Sequence, residues 1–179
     1  MKQQENDFKY TNIINVGYWE KIIHTLDSNT LIKQSYTFQD NHNSIIRSNI
    51  GGYQSNDNLH TFPEFYPLVN LLNQEVFNLT NVPNIKVGSM WLNISSHGHH
   101  NRIHCHSSDV LNRNLSGVLY LKYPPNSGDI ILYNPMDVHF NIPITPKEKQ
   151  LLIFPSRLLH SVNPNLSQED RISIAFNYE

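Results

Sequence analysis

The chain has 179 residues, a net charge of −2 and a pI near 6.5, with 39% hydrophobic and 16% charged residues. That length supports one domain with a proper core, and that balance excludes a disordered chain. It shows no basic footprint for nucleic acid or an anionic membrane, so neither partner is expected. No apolar run reaches the roughly 18 residues of a membrane span, and "MKQQENDFKY" has no apolar signal-peptide core. The single cysteine, Cys105, excludes an internal disulfide and suits a reducing, cytoplasmic setting.

Residues 8–16 read as a short opening strand. "GYWEKIIHTLDSN" spaces Trp19, Ile22, Ile23 and Leu26 for a short amphipathic helix. "DNHNSIIRSNIGGYQSNDNL" reads as an ordered loop in which Gly51 and Gly52 turn the backbone. "TFPEFYPLVNLLNQEVFNLTN" offers Phe65, Leu68, Leu71, Leu72, Val76 and Phe77 as a helix face, with Pro63 near its start. After Pro83 the apolar period changes from 3.6 to 2. "IKVGSMWLNI", "RIHCH", "SGVLYLKY", "DIILYN", "VHFNI", "KQLLIFP", "LLHSV" and "RISIAFNY" are short runs divided by turn residues. The expected fold is mainly β. It is a single domain over 1–179, with a double-stranded β-helix (jelly roll) from about 86 to 178 and a helical part, about 1–83, packed on one sheet.

Five of the ten histidines lie between His97 and His106. His104 and His106 are two apart on a predicted strand, so alternation sends both to one face. His160, far away in "FPSRLLHSV", is a third candidate ligand on another strand, the way a jelly roll builds a metal centre. Cys105, between the first two, reads as a small buried hydrophobe. His97, His99 and His100 read as loop residues over the mouth of the site, and His24, His42, His60 and His139 as ordinary hydrogen-bonded residues. Eleven residues beyond His160 comes Arg171. On its strand Ile172, Ile174 and Phe176 share one face, while Arg171, Ser173 and Ala175 share the other. An inward Arg and Ser beside a small Ala make a pocket for a carboxylate.

The ordered blocks "SNIGGYQSNDNL", "HCHSSDVLNRNLSGVLYL", "LLIFPSRLLHSV" and "RISIAFN" resemble the Fe(II)/2-oxoglutarate-dependent oxygenases. The resemblance runs from about Ser48 to Asn177. Within that superfamily they look like a branch of uncharacterised members from marine bacteria and phages; for a phage-encoded chain the setting would be the host cytoplasm. It implies Fe(II) held by His104, His106 and His160, with 2-oxoglutarate as cosubstrate and O2 as oxidant. The far carboxylate of 2-oxoglutarate would meet Arg171, Ser173 and Tyr120, and Asn93 could hydrogen-bond the cosubstrate. Oxidative decarboxylation to succinate and CO2 would then drive attack on a substrate C–H bond, most simply a hydroxylation. The middle ligand of the superfamily is normally Asp or Glu, and here His106 stands in its place. Either three neutral imidazoles hold the metal, or Asp109 swings in from the following loop. Strand geometry favours His106.

Two other functions compete. A cupin-like three-histidine metalloenzyme without 2-oxoglutarate would have no use for Arg171 and Ser173. A catalytically silent jelly-roll binding module would have no use for the aligned histidines. The substrate, a protein side chain or a small metabolite, is not named by the sequence, and neither is the oligomeric state.

Overall fold

The computed structural model describes residues 9–13, 16–106, 115–137 and 139–178. Within these residues, strands form two antiparallel sheets. The larger runs β1 (Lys9–Ile13), β2 (Val16–Ile22), β10 (Gln150–Pro155), β7 (Leu115–Lys122), β12 (Arg171–Tyr178), β5 (Val87–Ser95) and β4 (Tyr53–Gln54). The smaller runs β3 (Asn49–Ile50), β6 (His100–His104), β11 (His160–Val162), β8 (Ile130–Tyr133) and β9 (Asn141–Ile144). This is the expected jelly roll, and the eight runs after Pro83 each supply one of its strands.

The larger sheet is covered on both faces. On one, Leu119, Leu151, Ile172, Ile174 and Phe176 pack with Leu31, Phe38, Leu68, Leu72 and Val76 of two helices. These are α1 (Ser28–Asn41) and α2 (Tyr66–Thr80). On the other face, Val118, Tyr120, Leu152 and Phe154 meet Ile130, Leu132 and Ile144 of the smaller sheet. Double burial explains why β7 and β10 read as nearly unbroken apolar runs. No helix among the described residues is long and apolar enough to cross a membrane.

The N-terminal part corrects one expectation. "GYWEKI" is not helical: it lies in β2, and Trp19 to Ile22 pair with Ile153 to Gln150 of β10. Alternation then puts Tyr18 in the core between the sheets and Trp19 against the helix-side core. Lys21 reaches Glu75 of α2 at 3.0 Å. Tertiary pairing overrides the accidental helical spacing of Trp19, Ile22, Ile23 and Leu26. The helix starts later. Asp27 caps it, accepting from the Thr30 backbone N–H at 3.1 Å. The second helix falls where its apolar face predicted, with Pro63–Phe65 as a 3₁₀ turn ahead of it.

The loop before α2 carries β3 and β4 on either side of Gly51 and Gly52, whose φ values are +68° and +72°. One strand joins the smaller sheet and the other the larger, so this turn bridges the two sheets at one end. A Cβ on Gly52 would come within 2.8 Å of the Ile94 carbonyl, so glycine is required by space as well as by φ.

Candidate metal centre

His160 on β11 pairs with His104 on β6, while Val162 pairs with Asn101. Three steps along β6 therefore match two along β11, which is a one-residue bulge at Arg102 and Ile103. The bulge brings Asn101 and His104 to the same cavity, where strict alternation would have parted them. Beyond His104 the chain leaves the strand, and the His106 backbone N–H donates to the Ser156 carbonyl at 2.8 Å. The three rings meet there. Centroids are 4.2 Å apart for His104 and His160, 4.8 Å for His106 and His160, and 5.2 Å for His104 and His106. One ring nitrogen from each lies within 4.8 Å of the other two.

The hydrogen bonds behind the rings decide which nitrogens those are. His104 Nδ1 faces the Arg102 carbonyl at 2.7 Å and His160 Nδ1 faces the Leu158 carbonyl at 2.9 Å. A carbonyl only accepts, so both Nδ1 atoms carry the proton. His106 Nδ1 lies 2.9 Å from Asn177 Oδ1, and Asn177 is itself oriented by donating from Nδ2 to Ser89 Oγ at 2.9 Å. Ser116 Oγ also sits 3.0 Å from His106 Nδ1 and 2.7 Å from Ser156 Oγ. All three Nε2 atoms are thus unprotonated, with His104 and His106 Nε2 facing each other at 3.3 Å and the Ser48 hydroxyl 3.3 Å from His104 Nε2. Lone pairs so opposed repel unless a cation lies among them. Cis ligands about 2.1 Å from an ion would stand roughly 3 Å apart, so the set fits a metal.

Burial holds His104 below the usual imidazole range and His160 well below it. Burial, reinforced by His104, pushes His106 down to about 4. The imidazoles are therefore neutral near pH 7 and can take a metal without first losing protons. The same shifts set a stability profile for the metal-free protein. Because the folded pKa values lie below the unfolded value near 6.5, stability is fully present above that pH. It falls as the pH drops toward about 4, where His106 finally charges. Chemical denaturation of metal-free protein at pH 7.5, 6, 5 and 4.5 checks this; a flat profile, after correction for carboxylates, contradicts it.

Asn177 was not anticipated, although a signal existed: it continues the face shared by Arg171, Ser173 and Ala175 at period two. Replacing it with Leu removes the acceptor for His106 Nδ1–H. The expected result is metal affinity about 10- to 100-fold weaker, with ¹⁵N shifts of His106 in the metal-free protein moving to mixed tautomers. Unchanged tautomer and affinity would contradict the role.

A narrow inner cavity of about 50 Å³, room for roughly four waters or a slim ligand of like bulk, runs inward from the histidines. Trp91, Val118, Ile130 and Phe154 give it apolar walls, and Arg171, Ser173, Tyr120 and Asn93 also line it. Ser173 pairs across the sheet with Asn93 on one side and Tyr120 on the other, so the three form one row. Arg171 is 3% exposed. Its Nη1 donates to the carbonyls of Ser127, Gly128 and Asn163. Gly128, at φ +91°, makes that cradle possible, since a Cβ there would stand 2.3 Å from the Asn163 carbonyl oxygen. Carbonyl dipoles solvate the guanidinium without neutralising it, and no carboxylate among the described residues pairs with it. Burial lowers the Arg171 pKa and raises that of the Tyr120 hydroxyl, which stays protonated.

Other candidates fall elsewhere. Asp109, the alternative ligand, lies outside the described residues. Cys105 is exposed, not buried, because the chain has already left β6 and turns it toward solvent. His97, His99 and His100 line neither this cavity nor the cleft beside it. His99 instead packs on Gly51, and His97 Nδ1 reaches the Ser167 carbonyl at 3.2 Å. On the outer side of the histidines a cleft of about 580 Å³ opens between the edges of the two sheets.

Residues 138–177 match a family model described as "Putative 2OG-Fe(II) oxygenase". No curated protein matches the sequence. Among solved structures, a Pseudomonas putida prolyl-4-hydroxylase is similar over 92% of this chain and 93% of its own, at 16% identity and a TM-score of 0.70. HygX from Streptomyces hygroscopicus, with nickel and 2-oxoglutarate bound, is similar over 91% of this chain and 82% of its own, at 13% identity and 0.69. A Trichoplax adhaerens prolyl hydroxylase in complex with a hypoxia inducible factor peptide is similar over 97% and 84%, at 16% identity and 0.67. At these identities the structural likeness speaks for the fold. The chain is thus similar to the 2OG-Fe(II) oxygenase family in its C-terminal strands and to these solved structures in its jelly roll, with three imidazoles converging between the sheets.

Proposed function

We propose that the chain is a hydroxylase in which His104, His106 and His160 hold Fe(II) and Arg171, Ser173, Tyr120 and Asn93 hold 2-oxoglutarate. The carrying observation is the convergence of three unprotonated Nε2 atoms, each fixed by an acceptor behind its ring. The bound iron supplies the oxidative chemistry that couples decarboxylation of 2-oxoglutarate to attack on a substrate C–H bond.

The chain's own residues prepare that chemistry. With Nη1 occupied by carbonyls, Arg171 keeps Nη2 and Nε for the far carboxylate of the cosubstrate, and the Ser173 hydroxyl donates beside it. Tyr120, protonated and buried, adds a third donor. Val118, Ile130, Phe154 and Ala175 keep the inner cavity dry, which strengthens those polar contacts. Substrate and cosubstrate approach the histidines from different sides, through the outer cleft and the inner cavity. A jelly roll that bound metal without 2-oxoglutarate would leave Arg171 buried with no anion to answer it, and this weighs against the cupin-like reading. The prolyl hydroxylases that share the fold are the reason to prefer hydroxylation among the outcomes open to the superfamily.

The test is succinate release from 2-oxoglutarate in air. It should require Fe(II) and disappear in His106→Ala. Succinate formation that survives that substitution would overturn the ligand assignment, and none from the iron-loaded parent would overturn the enzymatic reading.

A further inference from the structure

We propose that the outer cleft takes a substrate carrying an anionic oxygen group, a carboxylate or a phosphate, seated against Arg47 and Arg102. The inference deepens the oxygenase reading and rests on it. Both arginines line the wall of the cleft that β3 and β6 form beside His104. Arg102 and Ile103, the two residues at the bulge in β6, are both exposed. Neither guanidinium has an ion pair or hydrogen bond among the described residues, in a chain whose formal net charge is −2. Two unanswered cations on one wall of an acidic protein form a local field, and a cleft between low-dielectric walls focuses it.

The ligand set adds to that field. A metal held by three neutral imidazoles keeps a charge that a carboxylate ligand would have offset. The cosubstrate's chelating end cancels one unit of it, while its far carboxylate is matched to Arg171. One positive unit therefore remains beside the cleft. Asp57, on the opposite wall, is the one carboxylate among the described lining residues. A neutral or cationic substrate would leave this excess unmatched. An anion matches it, and the guanidinium fork suits an oxyanion. Trp91 and Gln54 on the other wall supply one flat apolar surface and one amide for the rest of the molecule.

Cys105 is exposed and lines the same cleft, so its alkylation reads the local potential without knowledge of the substrate. Iodoacetate is anionic and iodoacetamide neutral. The thiolate attacks the methylene carbon of both and displaces iodide, so the thiolate fraction cancels in their rate ratio. In protein loaded with Mn(II) and 2-oxoglutarate under nitrogen, that ratio should exceed the ratio for N-acetylcysteinamide by about three- to ten-fold. Arg47→Gln and Arg102→Gln should each lower it, and the double variant should return it to the reference. Acetate should slow iodoacetamide if the group is a carboxylate, inorganic phosphate should if it is a phosphate, and acetamide should do neither. A ratio equal to the reference, no protection by either anion, or protection unchanged in the double variant would overturn the assignment. Calorimetry of 2-oxoglutarate on the same samples separates the two readings. A parent that fails to bind it sinks the oxygenase reading, whereas an unraised ratio sinks the anion assignment alone.

Discussion

Arg171→Ala is expected to weaken 2-oxoglutarate binding about 30-fold or more, a loss of about 2–5 kcal/mol for a charge-assisted pair. Metal affinity should be unchanged. Arg171 is buried and its Nη1 is spent on the carbonyls of Ser127, Gly128 and Asn163, so the remaining donors are aimed and costly to leave idle. Arg171→Lys keeps the charge but loses the fork and part of the cradle, and should fall between parent and Ala. Because β12 is buried nearly throughout, folding must be checked beside affinity. Calorimetry under nitrogen with Mn(II) in place of iron measures the effect without turnover. Equal affinity in parent and Arg171→Ala would remove the pocket from the account.

His160→Ala should abolish stoichiometric metal binding. His160 is 4% exposed and fixed through Nδ1, so no nearby group can swing into its place cheaply. The comparison with His106→Ala and Asp109→Ala assigns the middle ligand. If His106 is that ligand, its loss should cost about as much as the loss of His160, and Asp109→Ala should bind like the parent. The opposite ranking would show that a carboxylate completes the set and that His106 serves another purpose.

Most of the fold was legible, because period two after Pro83 is a local property that the sheets preserve. The N-terminal strands were not. Residues 17–23 carry apolar spacing compatible with either element, and their pairing with β10 joins segments more than 120 residues apart. At the site, His104, His106 and His160 were legible as types at a spacing, but the route that joins them was not. A bulge in β6 and the departure of the chain after His104 depend on pairing with β11, and the same departure exposes Cys105. Asn177 could have been found by carrying the Arg171 face two residues further. Ser116 and Ser156 could not, since a serine on an apolar strand or in the turn after one carries no mark of the imidazole behind which it sits. Arg47 and Arg102 likewise look like ordinary surface charges until the cleft sets them beside the histidines.

Anaerobic titration of the Fe(II)-loaded protein with 2-oxoglutarate tests the central claim most directly, because it needs metal, cosubstrate and both sets of residues at once. A weak visible charge-transfer band that saturates near one equivalent, and is lost in His160→Ala, is the predicted result. Stoichiometric iron with no band at any concentration of 2-oxoglutarate would contradict it.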